Sequence, residues 1–254
     1  MKYMGSKNKI AKHIVPIIHN YMLLNNIDIY IEPFAGGCNM LDKVNCKNRY
    51  AFDKNKYLIA LFQYLQNEGE LPESVSREQY NDCRAHYKAK DNYYPDWYLG
   101  AVGFLASYNG RFYDGGYAGT FCENGKQRDY YSEAKENIIN QMISLMDVKF
   151  DAKDYRELNV SDALIYCDPP YAKTKGYCTS KGFNHSEFWS LMREWSKHNI
   201  VLISEENAPD DFIAIWEQEV SRDIDVDNKK KAIEKLFIHK TLYSNTYEQN
   251  GYDF

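Results

Sequence analysis

Apolar residues recur along the chain in two rhythms, and the change between them organises it. Over residues 7–22, Ile10, Ile14, Ile17, Ile18 and Met22 fall at helical spacing, and Pro16 predicts a kink because it has no amide hydrogen to give. Asp28-Ile29-Tyr30-Ile31-Glu32 then reads as a strand running into Pro33-Phe34-Ala35-Gly36-Gly37. Arg49-Tyr50-Ala51-Phe52 reads as a second strand ending on Asp53, followed by a helix to about Gln66. Strand, glycine turn, helix, strand and acid together predict the front half of a doubly wound α/β sheet.

From about residue 58 to 146 the strand rhythm stops. This stretch predicts a mainly helical insertion carrying a loop rich in glycine and tyrosine over residues 106–119. Strands resume at Val148-Lys149-Phe150 and over 163–167. Asn184-His185-Ser186-Glu187 has the form of a capping box opening a helix to about Lys197, and residues 200–204 read as a buried strand. Residues 212–220 and 235–239 are expected to pair as a terminal antiparallel hairpin, although 212–220 also fits a helix.

The run Ala163-Leu164-Ile165-Tyr166-Cys167 reads as a buried strand, and Asp168-Pro169-Pro170-Tyr171 stands where it must stop. Proline fixes φ, lacks an N–H, and pushes the residue before it into extended geometry. The segment therefore offers a carboxylate, carbonyl oxygens and a flat aromatic face, but few donors. That suits a planar ligand with an exocyclic amino group. The plainer reading is that the prolines end a strand and Tyr171 packs.

Composition narrows the class. The chain has 254 residues, 44% of them hydrophobic, enough for a full core, and 23 are tyrosine. Six scattered cysteines show no C-x-x-C pair or zinc spacing, which predicts reduced thiols. No signal-peptide core or membrane-length apolar run is present, so a cytoplasmic location is expected and a membrane is not. Net charge is −5, yet lysines gather without acids at Lys2, Lys7, Lys9 and Lys12, and again at Lys173, Lys175 and Lys181. Both groups adjoin the stretches singled out here, which points to a phosphate-facing surface. Lys229-Lys230-Lys231 forms a third group.

Gly36 and Gly37, directly after a strand, allow a close backbone approach, without the G-x-G-x-x-G spacing of a dinucleotide site. Asp53 is placed either to accept from ribose hydroxyls or to cap the following helix. His185 reads as a surface residue, and Glu205-Glu206 as neighbours pointing to opposite faces.

Lys2-Tyr3-Met4-Gly5-Ser6-Lys7, Glu32-Pro33-Phe34-Ala35-Gly36-Gly37, Asp53, Asp154-Tyr155 and Asp168-Pro169-Pro170-Tyr171 occur in this order. The ordered set resembles the Dam-type adenine-specific DNA methyltransferases, the alpha group of amino-methyltransferases, across nearly the whole chain. The resemblance implies a Rossmann-like class I S-adenosylmethionine-dependent methyltransferase sheet over 1–57 and 147–254, with an inserted target-recognition domain over 58–146. It implies methyl transfer from S-adenosylmethionine to adenine N6 in double-stranded DNA, and a restriction endonuclease as an expected partner. It also implies a bacterial or phage-encoded protein. By resemblance Tyr3 and Lys7 contact the cofactor, Phe34, Ala35, Gly36 and Gly37 cradle it, and Asp53 holds its ribose. Asp154 and Tyr155 would flank its adenine ring. Asp168, which also borders the cofactor, would hold the target base with Pro169, Pro170 and Tyr171. Tyr3 stands where Trp is usual, Ser6 where a second Gly is usual, and Cys38 replaces a further glycine. The loop around Arg111 does not match the finger of members specific for GATC, so that specificity is not carried over.

The chemistry of the residues agrees. Adenine N6 is a poor nucleophile because its lone pair is delocalised into the ring. Acceptors for both its hydrogens, the Asp168 carboxylate and the Pro169 carbonyl, favour a tetrahedral nitrogen, and Tyr171 would stack on the base, a role that needs only its ring. Within the loop, Tyr108 is the candidate to fill the gap left by a flipped base, Asn109 and Arg111 to read base edges, and Lys173 and Lys175 to meet phosphates. Cytosine N4, an RNA adenine and a protein glutamine amide also fit the turn. A non-catalytic DNA-binding regulator of the same fold is the alternative from another class.

Overall fold

The computed structural model describes residues 1–171, 182–225 and 228–243. In chain order these form α1 (Ala11–Leu24), β1 (Ile29–Glu32), β2 (Asn48–Phe52), α2 (Lys56–Gln66), α3 (Arg77–Ala89) and α4 (Asp96–Leu105). There follow β3 (Thr120–Glu123), β4 (Lys126–Asp129), α5 (Tyr130–Met142), β5 (Lys149–Asp151) and β6 (Leu164–Cys167). The chain continues with α6 (His185–Trp195), β7 (Ile200–Glu205), β8 (Phe212–Asp225) and β9 (Asn228–His239). Seven strands hydrogen-bond in the order β5-β2-β1-β6-β7-β9-β8, and β3 pairs with β4 apart from them. After β1 the chain steps outward through β2 to β5, then returns to β6 on the other side of β1. The order of strands therefore reverses between β1 and β6, the place where open α/β sheets bind ligands. The fold is an α/β, Rossmann-like sheet, as expected from the sequence.

Contacts divide the chain into two compact units. The first comprises Met1–Val15, Ala35–Val44 and Ala51–Asp154. Its core holds Leu58, Leu61 and Phe62 of α2, Leu99, Val102 and Leu105 of α4, and Ile138 of α5, all buried. Each such side chain contributes about 1.5–3 kcal/mol by leaving water. Its helices start where the sequence supplies acceptors for their free amides. Asn55 caps α2 by accepting from the Tyr57 and Leu58 amides, Ser76 and Gln79 form a full capping box on α3, and Asp129 caps α5 through the Ser132 amide. The cap of α2 is thus Asn55, not Asp53. The expected domain boundary at 57/58 falls within α2.

The insertion also contains strands, contrary to expectation. Thr120↔Asp129 through Glu123↔Lys126 pair antiparallel around Asn124-Gly125, both with φ positive, at +52° and +75°. Asn-Gly at positive φ is the signature of a two-residue hairpin turn. The flanking Thr-Phe-Cys-Glu and Lys-Gln-Arg-Asp lack clear apolar alternation, so periodicity missed it.

The second unit comprises Pro16–Phe34, Asn45–Tyr50 and Tyr155–Phe254. Here β1, β6 and β7 run parallel, with Tyr30↔Leu164 and Ile31↔Ile165, and Leu164↔Ile200 through Cys167↔Ile203. Every residue of β6 and β7 is buried, as in strands covered on both faces. β9 joins β7 antiparallel and β8 joins β9, so residues 212–220 are strand rather than helix. The hairpin extends beyond the expected limits, because its ladder continues through the polar residues to Asp225↔Asn228. On α6, Asn184 accepts from the Ser186 and Glu187 amides. No helix of the described residues is long and apolar enough to cross a membrane. Cys38, Cys46, Cys83, Cys122 and Cys167 are free thiols, and Cys178 lies outside the described residues.

The cap at Asn55 is buried, so its loss is not made good by water. Asn55→Ala is expected to cost about 1 kcal/mol, or roughly 2–4 °C in thermal midpoint for a chain of this size. Thermal unfolding followed by circular dichroism measures this, and an unchanged midpoint would show that α2 starts without that cap.

Candidate active site

The first unit gathers Tyr3, Lys7, Ala35, Gly36, Gly37, Asp53 and Asp154 among the residues the sequence singled out. The turn after β1 is knotted to the end of β2. The Ala35 amide donates to the Phe52 carbonyl at 2.9 Å, and the Gly36 amide to Asp53 Oδ2 at 3.0 Å. Asp53 Oδ1 accepts from the Asn55 amide at 2.8 Å. Burial raises the Asp53 carboxyl above the ordinary range, and these two amide bonds pull against it. A carboxylate has about four lone-pair sites, so two remain after this bracing.

Gly36, at φ +47°, would place a Cβ 2.8 Å from Tyr3 Cε1, and a Cβ on Gly37 would fall 2.6 Å from Tyr3 Cβ. The close approach that these glycines permit is therefore made by Tyr3, whose ring also stacks on Phe104 at 5.8 Å. Cys38, in the next position, holds φ +54° without being glycine. From α5 the buried Gln141 reaches the same turn, its Nε2 lying 3.0 Å from the Gly37 carbonyl and 3.1 Å from that of Cys38. Sequence reading passed over Gln141, which sits among polar residues on an amphipathic helix. Lys7 is buried, and Lys54 Nζ lies 3.3 Å from Asp154 Oδ2, whose side chain is only 11% exposed.

The second unit holds Phe34, Tyr155 and Asp168 to Tyr171. Phe34 packs against Tyr155 at 4.9 Å between centroids, and Phe183 and Phe188 complete a cluster around them at 5.5–6.0 Å. Phe183 precedes the cap Asn184 and Phe188 is the fourth helical residue, which is a hydrophobic staple. Its signal, Phe-Asn-His-Ser-Glu-Phe, is present in the sequence but was read only for its cap. His185, at the surface but half-buried, has its ring edge-on to Phe183 at 4.9 Å, and burial lowers its pKa.

Asp168 follows β6 directly and is half-buried, Pro169 is buried, and Pro170 and Tyr171 are half-buried. The Tyr171 hydroxyl donates to Glu234 Oε2 of β9 at 2.5 Å. Burial first, then the carboxylates of Asp168 and Glu234, push its phenol well above the ordinary value, so it stays a donor. Below it, Tyr166 shares a hydrogen bond with Ser204 Oγ at 2.7 Å and Tyr30 donates to Glu32 Oε1 at 2.7 Å. Glu205 is buried at the end of β7, and Glu206 beside it is half-buried.

In the loop of the first unit the aromatics divide. Phe112 and Tyr113 are core residues, as is Tyr80 at 1% exposure, and the half-buried Tyr87 packs its ring on Phe112. Tyr108 is 56% exposed, and Asn109 and Arg111 are exposed beside it. Asn109, Phe112 and Tyr113 all hold positive φ, at +55°, +31° and +62°. Such conformations cost of order 1–3 kcal/mol each and persist only where surroundings enforce them. Ser107 does so, accepting from the Tyr113 amide at 3.0 Å while bonding Tyr80 at 2.9 Å. Among the described residues Arg111 forms no ion pair with Asp114; the Asp114 amide donates instead to the Arg111 carbonyl. Lys173, Lys175 and Lys181 lie outside the described residues.

The model of the D12 class of N6 adenine-specific DNA methyltransferases matches residues 3–201. The type II methyltransferase M.FokI of Planomicrobium okeanokoites is 26% identical over 217 residues, 76% of this chain and 32% of that protein. The modification methylase StsI of Streptococcus sanguinis is 25% identical over 198 residues, 69% of this chain and 29% of that protein. The chain spans about a third of the length of these relatives. Among solved structures, the rRNA methyltransferase aviRa of Streptomyces viridochromogenes aligns over 92% of this chain and 86% of its own, at 8% identity and a TM-score of 0.38, too loose a likeness to bear on function. The family match begins at Tyr3 and runs through the glycine turn, Asp53 and the Asp-Pro-Pro-Tyr turn, and by it the chain belongs to the D12 class N6 adenine-specific DNA methyltransferases.

Proposed function

We propose that the chain transfers a methyl group from S-adenosylmethionine to N6 of an adenine flipped out of double-stranded DNA. The observation that carries the reading is a half-buried carboxylate, Asp168, at the carboxyl end of β6 where the strand order reverses, followed by two prolines and a tyrosine. Asp168 and the Pro169 carbonyl accept the two N6 hydrogens, and the Tyr171 ring stacks on the base. Positioning of this kind is worth up to roughly 7–11 kcal/mol in well-aligned reactions. Flipping costs a few kcal/mol, and stacking returns about 1–3 kcal/mol.

The residues present fit the cofactor. Asp53 keeps acceptor capacity beyond its two amide bonds, as a ribose diol requires. The rings of Phe34 and Tyr155 offer a stacking surface, with Asp154 adjoining Tyr155 in sequence as an acceptor for an adenine amino group. Tyr3, Lys7 and the 34–37 turn complete the set. Bound S-adenosylmethionine would supply an electrophilic methyl group on a positively charged sulfur.

We assign residues 58–146 to target recognition and 1–57 with 147–254 to catalysis. Exposed Tyr108, Asn109 and Arg111, in a loop where Asn109, Phe112 and Tyr113 hold positive φ, support the loop as the base-reading element. Lys173 and Lys175 are proposed as phosphate contacts. A restriction endonuclease is the proposed partner, since the matched relatives are a type II methyltransferase and a modification methylase. A DNA substrate places the work in the cytoplasm of a bacterium or of a cell infected by the phage that encodes it.

Asp168→Ala should lower methyl transfer about 100-fold or more while leaving the fold intact. Tritium transfer to DNA measures this, and wild-type turnover would remove the mechanism. Asp53→Ala should weaken S-adenosylmethionine binding about 10- to 100-fold, the worth of hydrogen bonds to a charged acceptor. Calorimetry on the folded variant reports it, and unchanged affinity would count against the ribose assignment. For DNA, a library of randomised sites separates reading from docking. Arg111→Ala should relax selectivity at one position by about 1–3 kcal/mol. Lys173→Ala should weaken all sites alike and flatten the salt dependence. An unchanged sequence profile for Arg111→Ala would move recognition elsewhere in the insertion.

A further inference from the structure

We propose that Glu234 is a positioning residue for Tyr171, fixing the plane of the ring on which the target base stacks. The inference rests on the stacking role given to Tyr171 above and goes beyond it, because it assigns a function to the hydroxyl and to a residue far away in sequence.

Tyrosine reaches its stacking position through a χ2 torsion with a broad well, so packing of the ring alone leaves its tilt loosely set. Here the residue is constrained at both ends. Pro169 and Pro170 fix the backbone before it, and the hydroxyl at the tip donates to Glu234 Oε2 at 2.5 Å. Glu234 is itself held, being only 7% exposed on β9. A hydroxyl bound to a buried carboxylate is the stronger, charge-assisted kind of hydrogen bond. Because a phenolic O–H prefers to lie in the plane of its ring, the direction of that bond sets the tilt that χ2 leaves open.

The sheet register explains why Glu234 can do this. Ser204 of β7 pairs with Leu236, and Glu234 lies two residues before Leu236, so it shares that face. On the same face the parallel registers place Tyr166 beside Leu202, and Tyr30 beside Leu164. Tyr30, Glu32, Tyr166, Ser204 and Glu234 thus form a buried polar row across four strands at their active-site end, each at most 7% exposed. In that row Tyr30 is bound to Glu32 and Tyr166 to Ser204, within the strands. Glu234 differs, because it accepts from Tyr171, which belongs to the turn beyond them. Burial of a glutamate on the face of β9 that also carries the buried Leu236 and Ile238 is costly and needs a reason. Holding Tyr171 supplies one.

The consequence reverses the simple expectation that only the ring of Tyr171 matters. Tyr171→Phe keeps the stacking surface but frees its tip and takes a donor from a buried carboxylate, so it should not be mild.

The test uses the whole chain and two duplexes. One is a duplex that the wild-type protein methylates, on which kcat is read. The other is the same duplex with 2-aminopurine in place of the target adenine, which cannot be methylated at N6 and reports stacking by its emission. Glu234→Leu should lower kcat about 10- to 100-fold while leaving KM for S-adenosylmethionine within about twofold. It should also raise 2-aminopurine emission toward the level of Tyr171→Ala. Glu234→Gln, which keeps an acceptor oxygen, should restore most of kcat and the quenched emission. Tyr171→Phe should match Glu234→Leu, and the double variant should be no worse than either, because both remove the same bond. Wild-type kcat and emission in Glu234→Leu, or additive losses in the double variant, would overturn the assignment. Should Glu234→Leu not fold, Tyr171→Phe decides it, wild-type kcat and quenched emission in that variant being the adverse result. If Tyr171→Ala turns over like wild type, the stacking reading itself falls and this inference with it. If Tyr171→Ala is inactive and the Glu234 variants are unimpaired, only the Glu234 assignment falls.

Discussion

The register of β1 against β6 is the constraint on which the second unit depends. Pairing Tyr30 with Leu164 and Ile31 with Ile165 brings Glu32 level with Tyr166, so the two strands release their following turns at one end of the sheet. Phe34 leaves from one and Asp168 from the other. A slip of one residue would turn every side chain to the opposite face. The polar row of Tyr30, Glu32 and Tyr166 would then face the wrong layer, and Asp168 would emerge pointing away from it. Complete burial of Leu164 and Ile165 on opposite faces makes such a slip expensive, so hydrophobic packing fixes the position of a charged group.

In the first unit the corresponding part is played by hydrogen bonds rather than by register. Asp53 ties the Gly36 amide to the Asn55 amide, so one carboxylate sets both the glycine turn and the entry to α2. Its burial disfavours the charge, and the two amides work against that. A group used this way is part of the scaffold before it meets any ligand. That explains why the acid stands at Asp53 while the helix cap proper is left to Asn55.

Much of this was legible in the sequence because it is local. β6 and β7 are continuous apolar runs, and the turns after β1 and β6 are marked by proline and glycine. The hairpin β3–β4 was not legible from periodicity, since its strands carry charged and polar residues on both faces and only Asn124-Gly125 betrays the turn. The staple between Phe183 and Phe188 was local too, but it needed the helix start to be placed correctly first. Glu234 and Gln141 were beyond reach for a different reason. Each acquires its meaning from a partner many residues away, Tyr171 in one case and the carbonyls of Gly37 and Cys38 in the other. In sequence both look like ordinary polar positions of a strand and a helix.

Gln141 has one more implication. It joins α5 directly to the carbonyls of the glycine turn, with no loop between them to absorb a displacement. Any ligand that shifts α5 therefore does work on the turn, and any ligand that orders the turn does equal work on α5. Thermodynamic linkage makes the two effects reciprocal: the factor by which one ligand alters affinity for the other is the same in both directions. A side-chain amide that a stability assay would record as one more buried hydrogen bond is in this sense a term in the coupling between two ligand affinities.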